Sequence, residues 1–475
     1  MSVVKQAALN EHPVQQSAAS SERLLLLTVA LGAVLAPLNS TMIAVALPAI
    51  TLEFGAGAAA TSWLVTGYLI SMASLQPVAG RLGDRLGRRR LILGGLLGFG
   101  VASLGATVAP NLPLLIACRV AQAISGAVVL PNGDALLREI IPDERRGSRF
   151  GMIGSAIGLA AALGPVVGGL LVTTVGWRAM FAVNLLLVIP ALALAWRQIP
   201  RNVASTERVV RSPFDWPGAV MLSTVLVGLA LLLSRGGGLP VALLAVAATG
   251  LLVLLAVFLR RELRHPEPVL QPRFFQRPAF AAATGAVGLS NLAMYSILLV
   301  LPILWALEGR PAAEIGTMLG VMASAMVVMS PVGGRLADRL GRRWPTVLGL
   351  AALTLGALVI GLSVMAGFGI VWPVVVGLAI LGGGLGLATP GMQASALESV
   401  ERRNAGAAAG AYSTSRYLGS IVGSALLAGL ASVVPLSSAD SPDGSVAPIF
   451  VVVVAAAGLA TLLALRLPGR RPVSS

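Results

Sequence analysis

The stretch "QPVAGRLGDRLGRRR", Gln76–Arg90, returns as "SPVGGRLADRLGRRW", Ser330–Trp344, with eleven of fifteen positions identical. The equivalent glycines, Gly80 and Gly334, stand 254 residues apart (334 minus 80). A charged, glycine-studded phrase written twice marks matching points in two like halves. The chain around it is 56% hydrophobic and 11% charged over 475 residues. Soluble domains carry about 25% charged residues. So few charges cannot cover a core of this size in water, and lipid is the expected solvent for most of the surface.

Composition also excludes several functions. One cysteine, Cys118, permits no internal disulfide framework, and two histidines, His12 and His265, make no metal site. No Ser-His-Asp set and no nucleotide-binding loop appears, so neither an enzyme nor an ATP-driven pump is expected, and no cofactor. The net charge of +15 would point to nucleic acid in a soluble protein. In a membrane protein it reflects arginine gathered on the cytoplasmic side, and no nucleic-acid partner is expected.

A bilayer core takes about 20 apolar residues per helix. That ruler gives fourteen spans: 24–48, 61–80, 91–109, 112–137, 151–173, 178–197, 216–234, 240–260, 279–305, 314–333, 345–366, 370–395, 405–432 and 447–466. The first apolar run is too long for a signal-peptide core. With the N-terminus inside, 29 of the 34 basic residues fall in cytoplasmic segments and three outside: Arg178, Arg235 and Arg310. The remaining two, Arg119 and Arg416, lie within spans. This asymmetry predicts an even number of spans and two cytoplasmic termini.

Six-helix halves would separate the two copies by about 180–200 residues, at roughly 30 per span and loop. The surplus matches two extra spans, the seventh and eighth. The expected organisation is a tail (1–23), a six-helix bundle (24–198), a linker with two helices (199–278), a second six-helix bundle (279–467) and a tail (468–475). Two like halves predict a pseudo-symmetric transporter with its site near mid-membrane.

The phrase "GRLGDRLGRRR" resembles the signature loop between the second and third helices of the major facilitator superfamily. The resemblance implies an all-α, polytopic fold of two pseudo-symmetric six-helix bundles, here with a two-helix insert. It implies that Gly80, Asp84, Arg85, Gly87 and Arg88, with Gly334, Asp338, Arg339, Gly341 and Arg342, latch the cytoplasmic gate. "GPVVGG", with Gly164, Pro165, Gly168 and Gly169, resembles the motif of the antiporter branch; small residues there allow close helix packing. "RVAQAISGAVVLP" places Arg119 where the family has a span-four arginine implicated in proton transfer. "TSRYLGSIVGSALL", with Arg416, together with "SWLVTGYL", "GWRAMFAVNLLLVIP" and "FDWPGAVMLS", extends the match over nearly the whole chain. The chain is similar to the fourteen-span drug:proton antiporters, which implies a monomer in a bacterial inner membrane.

One departure stands out. Where that family carries an aspartate in span one, this chain reads "APLNSTMIAVALP", with Asn39. Asparagine neither takes up a proton nor neutralises a cationic drug. Of nineteen acids only Asp134 falls inside a span near the expected cavity. It is the proton-coupling candidate, together with Arg119, although pairing with Arg138 one turn on is an equal alternative. Cavity candidates are Asn39, Gln122, Asn132, Asn291, Tyr295 and Arg416. A cavity so poor in acid favours neutral, zwitterionic or anionic substrates over dications.

The expected activity is export of small amphipathic compounds (a drug, antibiotic or secreted metabolite) by alternating access, in exchange for protons. The alternative is a proton-independent exporter or facilitator of a neutral or anionic metabolite. A non-transporting receptor would call for a large extramembrane domain, and the longest outer loop, 434–448, is too short for one.

Overall fold

The computed structural model describes residues 2–141, 143–199, 215–235, 240–266, 268–366, 371–401, 405–433 and 447–469. The surroundings of Gly80, Asp84, Arg85 and Arg138 lie outside the described side chains. Fourteen long helices fill the described chain. They are α1 Ser2–Phe54, α2 Trp63–Leu86, α3 Arg88–Thr107, α4 Leu112–Ile140, α5 Asp143–Thr174, α6 Ala179–Gln198 and α7 Trp216–Arg235. Then follow α8 Val241–Arg264, α9 Pro278–Leu307, α10 Ala312–Leu340, α11 Arg343–Met365, α12 Val371–Glu398, α13 Ala405–Val433 and α14 Ala447–Ala464. The N-terminal segment expected as a tail is drawn into α1, whose backbone is helical from Ser2.

Local chemistry sets where these helices begin and end. The Asn111 side chain accepts from Leu114 N at 2.9 Å and caps α4, with Pro113 in the first turn. The doubled phrase breaks its helix the same way in both copies. Gly87 (φ +91°) separates α2 from α3, and Gly341 (φ +86°) separates α10 from α11. A side chain is strained at such φ values, so glycine is what makes this short helix-to-helix turn possible.

Packing repeats across the chain. In the first half α1 packs on α5 and α6, α4 on α2 and α3, and α3 on α6. In the second half α9 packs on α13 and α14, α12 on α10 and α11, and α11 on α14. Adding eight to each helix number of the first set gives the second, with α7 and α8 as the surplus pair. Two cross-half contacts obey the same relation: α2 meets α13, and α5 meets α10.

Twelve of the helices have, among the described residues, the length and apolarity to cross a membrane. The other two are α2 and α13, which are 24 and 29 residues long. Both line the seam between the halves. Their partners there are protein groups instead of lipid, so polar residues such as Thr66, Ser424 and Arg416 are tolerated on them.

The extra pair is attached on one side only. α7 packs against both α2 and α13, while α8 touches α7 and the short turn at Pro272–Gln276. Val241, Val246, Leu252 and Val253 on α8 are all more than half exposed, as befits a lipid-facing helix. A buried clasp fixes the arginine-rich end of this pair. Asp215 caps α7 through Gly218 N (2.9 Å) and takes Arg261 Nε and Nη2 from α8 (3.1 and 2.7 Å). Burial works to raise the Asp215 pKa, but the hydrogen bonds from Arg261 and Gly218 outweigh it and hold the carboxyl below its ordinary range. Glu262, also buried, takes Leu270 N at 2.6 Å. Gly218 leaves room for this pair. A Cβ there would meet Asp215 Oδ2 at 2.4 Å and Glu262 Oε1 at 2.6 Å.

Candidate functional site

At the centre of the first half, Arg119 on α4 is fully buried. Its Nη1 donates to Asn39 Oδ1 on α1 and to Gln122 Oε1 (3.1 Å), and its Nε donates to Leu64 O on α2 (3.2 Å). Gln122 passes the network on through its Nε2 to Ser103 Oγ on α3 (2.8 Å). The Tyr68 ring lies 4.3 Å from the guanidinium carbon and the Phe181 ring 6.0 Å. All these partners are neutral. Among the described residues no carboxylate pairs with Arg119. A charge buried without a counter-ion costs several kcal/mol. A desolvated cation–π contact returns about 2 kcal/mol of that and the hydrogen bonds supply more. One guanidinium nitrogen, Nη2, has no partner, and neither does Asn39 Nδ2.

The second half brings the other intramembrane arginine to the same place. Arg416 on α13 lies with its guanidinium carbon 5.1 Å from the Tyr417 ring. Tyr417 in turn packs against the Tyr68, Met72, Ala123 and Ala127 cluster. Tyr295 on α9, which packs on α1, is buried and within electrostatic reach of both arginines. The chain has four tyrosines. Tyr68 lies on Arg119, Tyr417 lies on Arg416 and packs against the Tyr68 cluster, and Tyr412 sits one turn before Arg416 on α13. Of the four only Tyr295 is evident from sequence as a cavity residue. The signal for the others is scarcity, a polar aromatic ring recurring only in mid-span in a chain nearly devoid of tyrosine.

The structure gathers Asn39, Arg119, Gln122, Tyr295 and Arg416 around this centre. Asn291, one turn before Tyr295, spends its amide on Val287 O of its own helix (2.9 Å). Asn132 stands apart, its Nδ2 donating to Ala79 O (3.0 Å) and Val128 O (2.7 Å) and tying α4 to the end of α2. A Cβ on Gly83 would run into Asn132 Oδ1, which explains the small residue there. Asp134 is half-buried and follows Arg119 by fifteen positions on α4, a rise of about 22 Å along the helix. The two proton-coupling candidates are therefore not in contact.

The glycine box of α5 works on two faces. Gly164 and Gly168 face α1, where a Cβ would meet Thr41 Oγ1 and Met42 O at 1.9 and 3.0 Å. Gly169 faces α10 across the seam, 2.4 Å from Ala312 O by the same measure, and Pro165 O would sit 2.2 Å from a Cβ on Gly316. Thr173 Oγ1 accepts from Ala313 N at 3.0 Å, and Thr66 and Ser424 pair at 2.9 Å. These cross-half contacts lie toward the arginine-poor end. At the opposite end the second signature copy is held by Arg342. It binds Asp338 (2.8 Å) within the turn and Glu398 (2.7 Å) at the end of α12. Arg339 is exposed.

Two halves of six helices, a doubled signature loop and a mid-membrane polar centre describe one architecture, and comparison with known families agrees. The profile described as Major Facilitator Superfamily matches residues 29–424 and 283–475. The chain belongs to the Major Facilitator Superfamily. An uncharacterised transporter of the superfamily from Bacillus subtilis is 35% identical over 407 residues, covering 85% of this chain and 89% of its own length. The multidrug resistance protein B homolog of Mycobacterium tuberculosis is 31% identical, with 84% and 74% covered. The probable actinorhodin transporter of Streptomyces coelicolor is also 31% identical, with 82% and 69% covered. Among solved structures, a peptide transporter crystallised with sulfate superposes with a TM-score of 0.67 over 94% of this chain and 96% of its own, at 17% identity. That likeness concerns the fold alone. As a Major Facilitator chain, this is a multi-pass membrane transporter whose relatives include proteins named for drug resistance and antibiotic export.

Proposed function

We propose that this chain exports small amphipathic compounds across a bacterial inner membrane by alternating access, working as a monomer with both termini cytoplasmic. The observation that carries the reading is the seam. The described cross-half contacts of α5 with α10 and of α2 with α13 gather at the arginine-poor end. With the arginine-rich end cytoplasmic, these contacts close the outer side of a carrier. The names of the relatives supply the cargo type, drugs and antibiotics.

Exchange for protons is the energy source we propose first, with Asp134 taking up the proton and Arg119 responding to cargo. Asp134 is a carboxylate that α4 carries within its span, toward the arginine-rich end from Arg119, and the glycine box of α5 resembles the antiporter motif. A second reading, export without protons, is favoured by the direct bond between Asn39 and Arg119, where a titratable group would otherwise stand. Growth inhibition across diverse compounds, in cells with and without this chain, tests export. An unchanged profile would sink it. Purified carrier in liposomes with an imposed pH gradient then separates the two energy sources. Transport that follows the gradient and weakens in Asp134→Asn supports exchange, and indifference to both supports the second reading.

A further inference from the structure

The centre of the first half holds two buried nitrogen donors that no acceptor answers. Arg119 Nη2 and Asn39 Nδ2 are buried and without partners on the first half. Tyr412 Oη, a hydroxyl one turn before Arg416 on α13, is buried and without a partner. Two guanidinium groups, one from each half, bring two positive charges to this place, and among the described residues no carboxylate answers either. Asn39 directs its carbonyl oxygen at Arg119, which leaves its N–H groups as further donors. The rings of Tyr68 and Tyr417 lie 4.3 and 5.1 Å from the two guanidinium carbons, giving flat apolar walls beside the charges.

We propose that the cargo is an aromatic or amphipathic organic anion, whose carboxylate, sulfonate or phenolate oxygen is received between Arg119 and Arg416 while its ring packs on the tyrosines. This rests on the export reading above and narrows its cargo. The anion supplies both what the site lacks, acceptors for the spare donors and negative charge for the guanidinium pair. Guanidinium forks suit planar oxyanions, and both arginines stay charged at any physiological pH. Because the arginines come from opposite halves, a bound anion also bridges them, and its arrival and departure can be felt by the seam. A membrane negative inside expels an anion by itself, so export of such a cargo runs down the potential.

Three matched probes test this on the purified full-length carrier: naphthalene-2-sulfonate, the neutral naphthalene-2-sulfonamide, and N,N,N-trimethyl-2-naphthylammonium. The sulfonate is expected to bind at least about tenfold tighter than the sulfonamide, with the ammonium weakest. Arg416→Gln and Arg119→Gln should each bring the sulfonate down to the sulfonamide level while sulfonamide affinity changes little. If Arg119→Gln does not fold, the half-buried Arg416 variant decides alone. Equal binding of the three probes, absence of sulfonate binding, or a preference untouched by Arg416→Gln overturns the proposal. Displacement of the sulfonate by millimolar chloride would do the same, since the site would then hold inorganic anions. Liposomes loaded with sulfonate and given a lumen-negative potassium–valinomycin potential should lose it several times faster than without the potential. Sulfonamide efflux without sulfonate efflux leaves an exporter and removes the anion, whereas a sulfonate preference in binding with no efflux of any probe keeps the anion site and removes export.

Discussion

Asn39 Oδ1 accepts a hydrogen bond from Arg119 Nη1, joining α1 to α4 at mid-membrane with no charge to answer the guanidinium. Replacing that amide by a carboxylate changes one atom and the charge of the whole centre. Asn39→Asp should pair with Arg119, extend export to cationic compounds by about tenfold, equivalent to about 1.4 kcal/mol, and give transport a new pH dependence. Efflux of a cationic dye and of a neutral compound, measured from pH 5.5 to 8, checks it. An unchanged cation profile would mean that position 39 does not set the charge of the site.

The seam at the arginine-poor end depends on the absence of side chains. Gly316→Ala would push a methyl to 2.2 Å from Pro165 O, a contact the backbone can relieve only by moving α10 away from α5. Overpacking of this sort costs roughly 1–3 kcal/mol, all of it charged to the state with this end shut. Transport should fall at least about fivefold. Gly94→Ala on α3 meets nothing within 4 Å and serves as the control, with transport and melting temperature preserved. Equal loss in both variants would argue against a packed seam.

Arg342 and Arg339 occupy the same signature copy and have different duties. Arg342 is nearly buried and bridges Asp338 and Glu398, whereas Arg339 is exposed. Both acids are about half exposed, so solvent screening limits the bridge to about 1 kcal/mol. Arg342→Ala should therefore lower the melting temperature of the purified carrier by a few degrees, and Arg339→Ala should leave it unchanged. The reverse order would contradict the bridge.

The clasp of the extra helix pair has its own pH signature. Asp215 is held below its ordinary range, so its contribution to stability is complete above the unfolded aspartate value and is lost as pH falls through the folded one. The contact between α7 and α8 should loosen below about pH 4. Limited proteolysis near residue 267, followed across pH, reports it. Glu262→Gln keeps an amide oxygen that can accept from Leu270 N and should leave the clasp intact at neutral pH. Glu262→Ala leaves Leu270 N without its partner and should cost about 1–3 kcal/mol. Equal behaviour of the two variants would show that the bond to Leu270 N does not matter.

The sites divide by how they could be read. Gly87 and Gly341 were legible because a turn between two charged helix ends demands positive φ, and the same demand was written twice. Arg119, Arg416 and Asn39 were legible because a polar group in mid-span is costly enough to stand out from its neighbours. Tyr68 and Tyr417 were not legible. A ring in mid-span reads as ordinary core until helices from opposite halves bring it onto a guanidinium. Asn132 reads from the sequence as a cavity residue, whereas its amide ties α4 to α2. An amide inside a span can face a cavity or tie down a neighbouring backbone, and only the position of α2 assigns it to Ala79 O.

The number of long helices, the two-half plan, the surplus pair and the membrane setting were determined by the sequence alone, because lipid imposes a fixed apolar length and the doubled phrase imposes a fixed spacing. The tertiary structure alone decided which polar groups meet. It put Asn39 directly on Arg119, set the Tyr68 ring on the same guanidinium and brought Tyr417 from the other half into the Tyr68 cluster. Spacing along a chain fixes neighbours within a helix. Contacts between α1, α4, α9 and α13 depend on how glycine-lined faces pack, and that is a property of the assembled bundle.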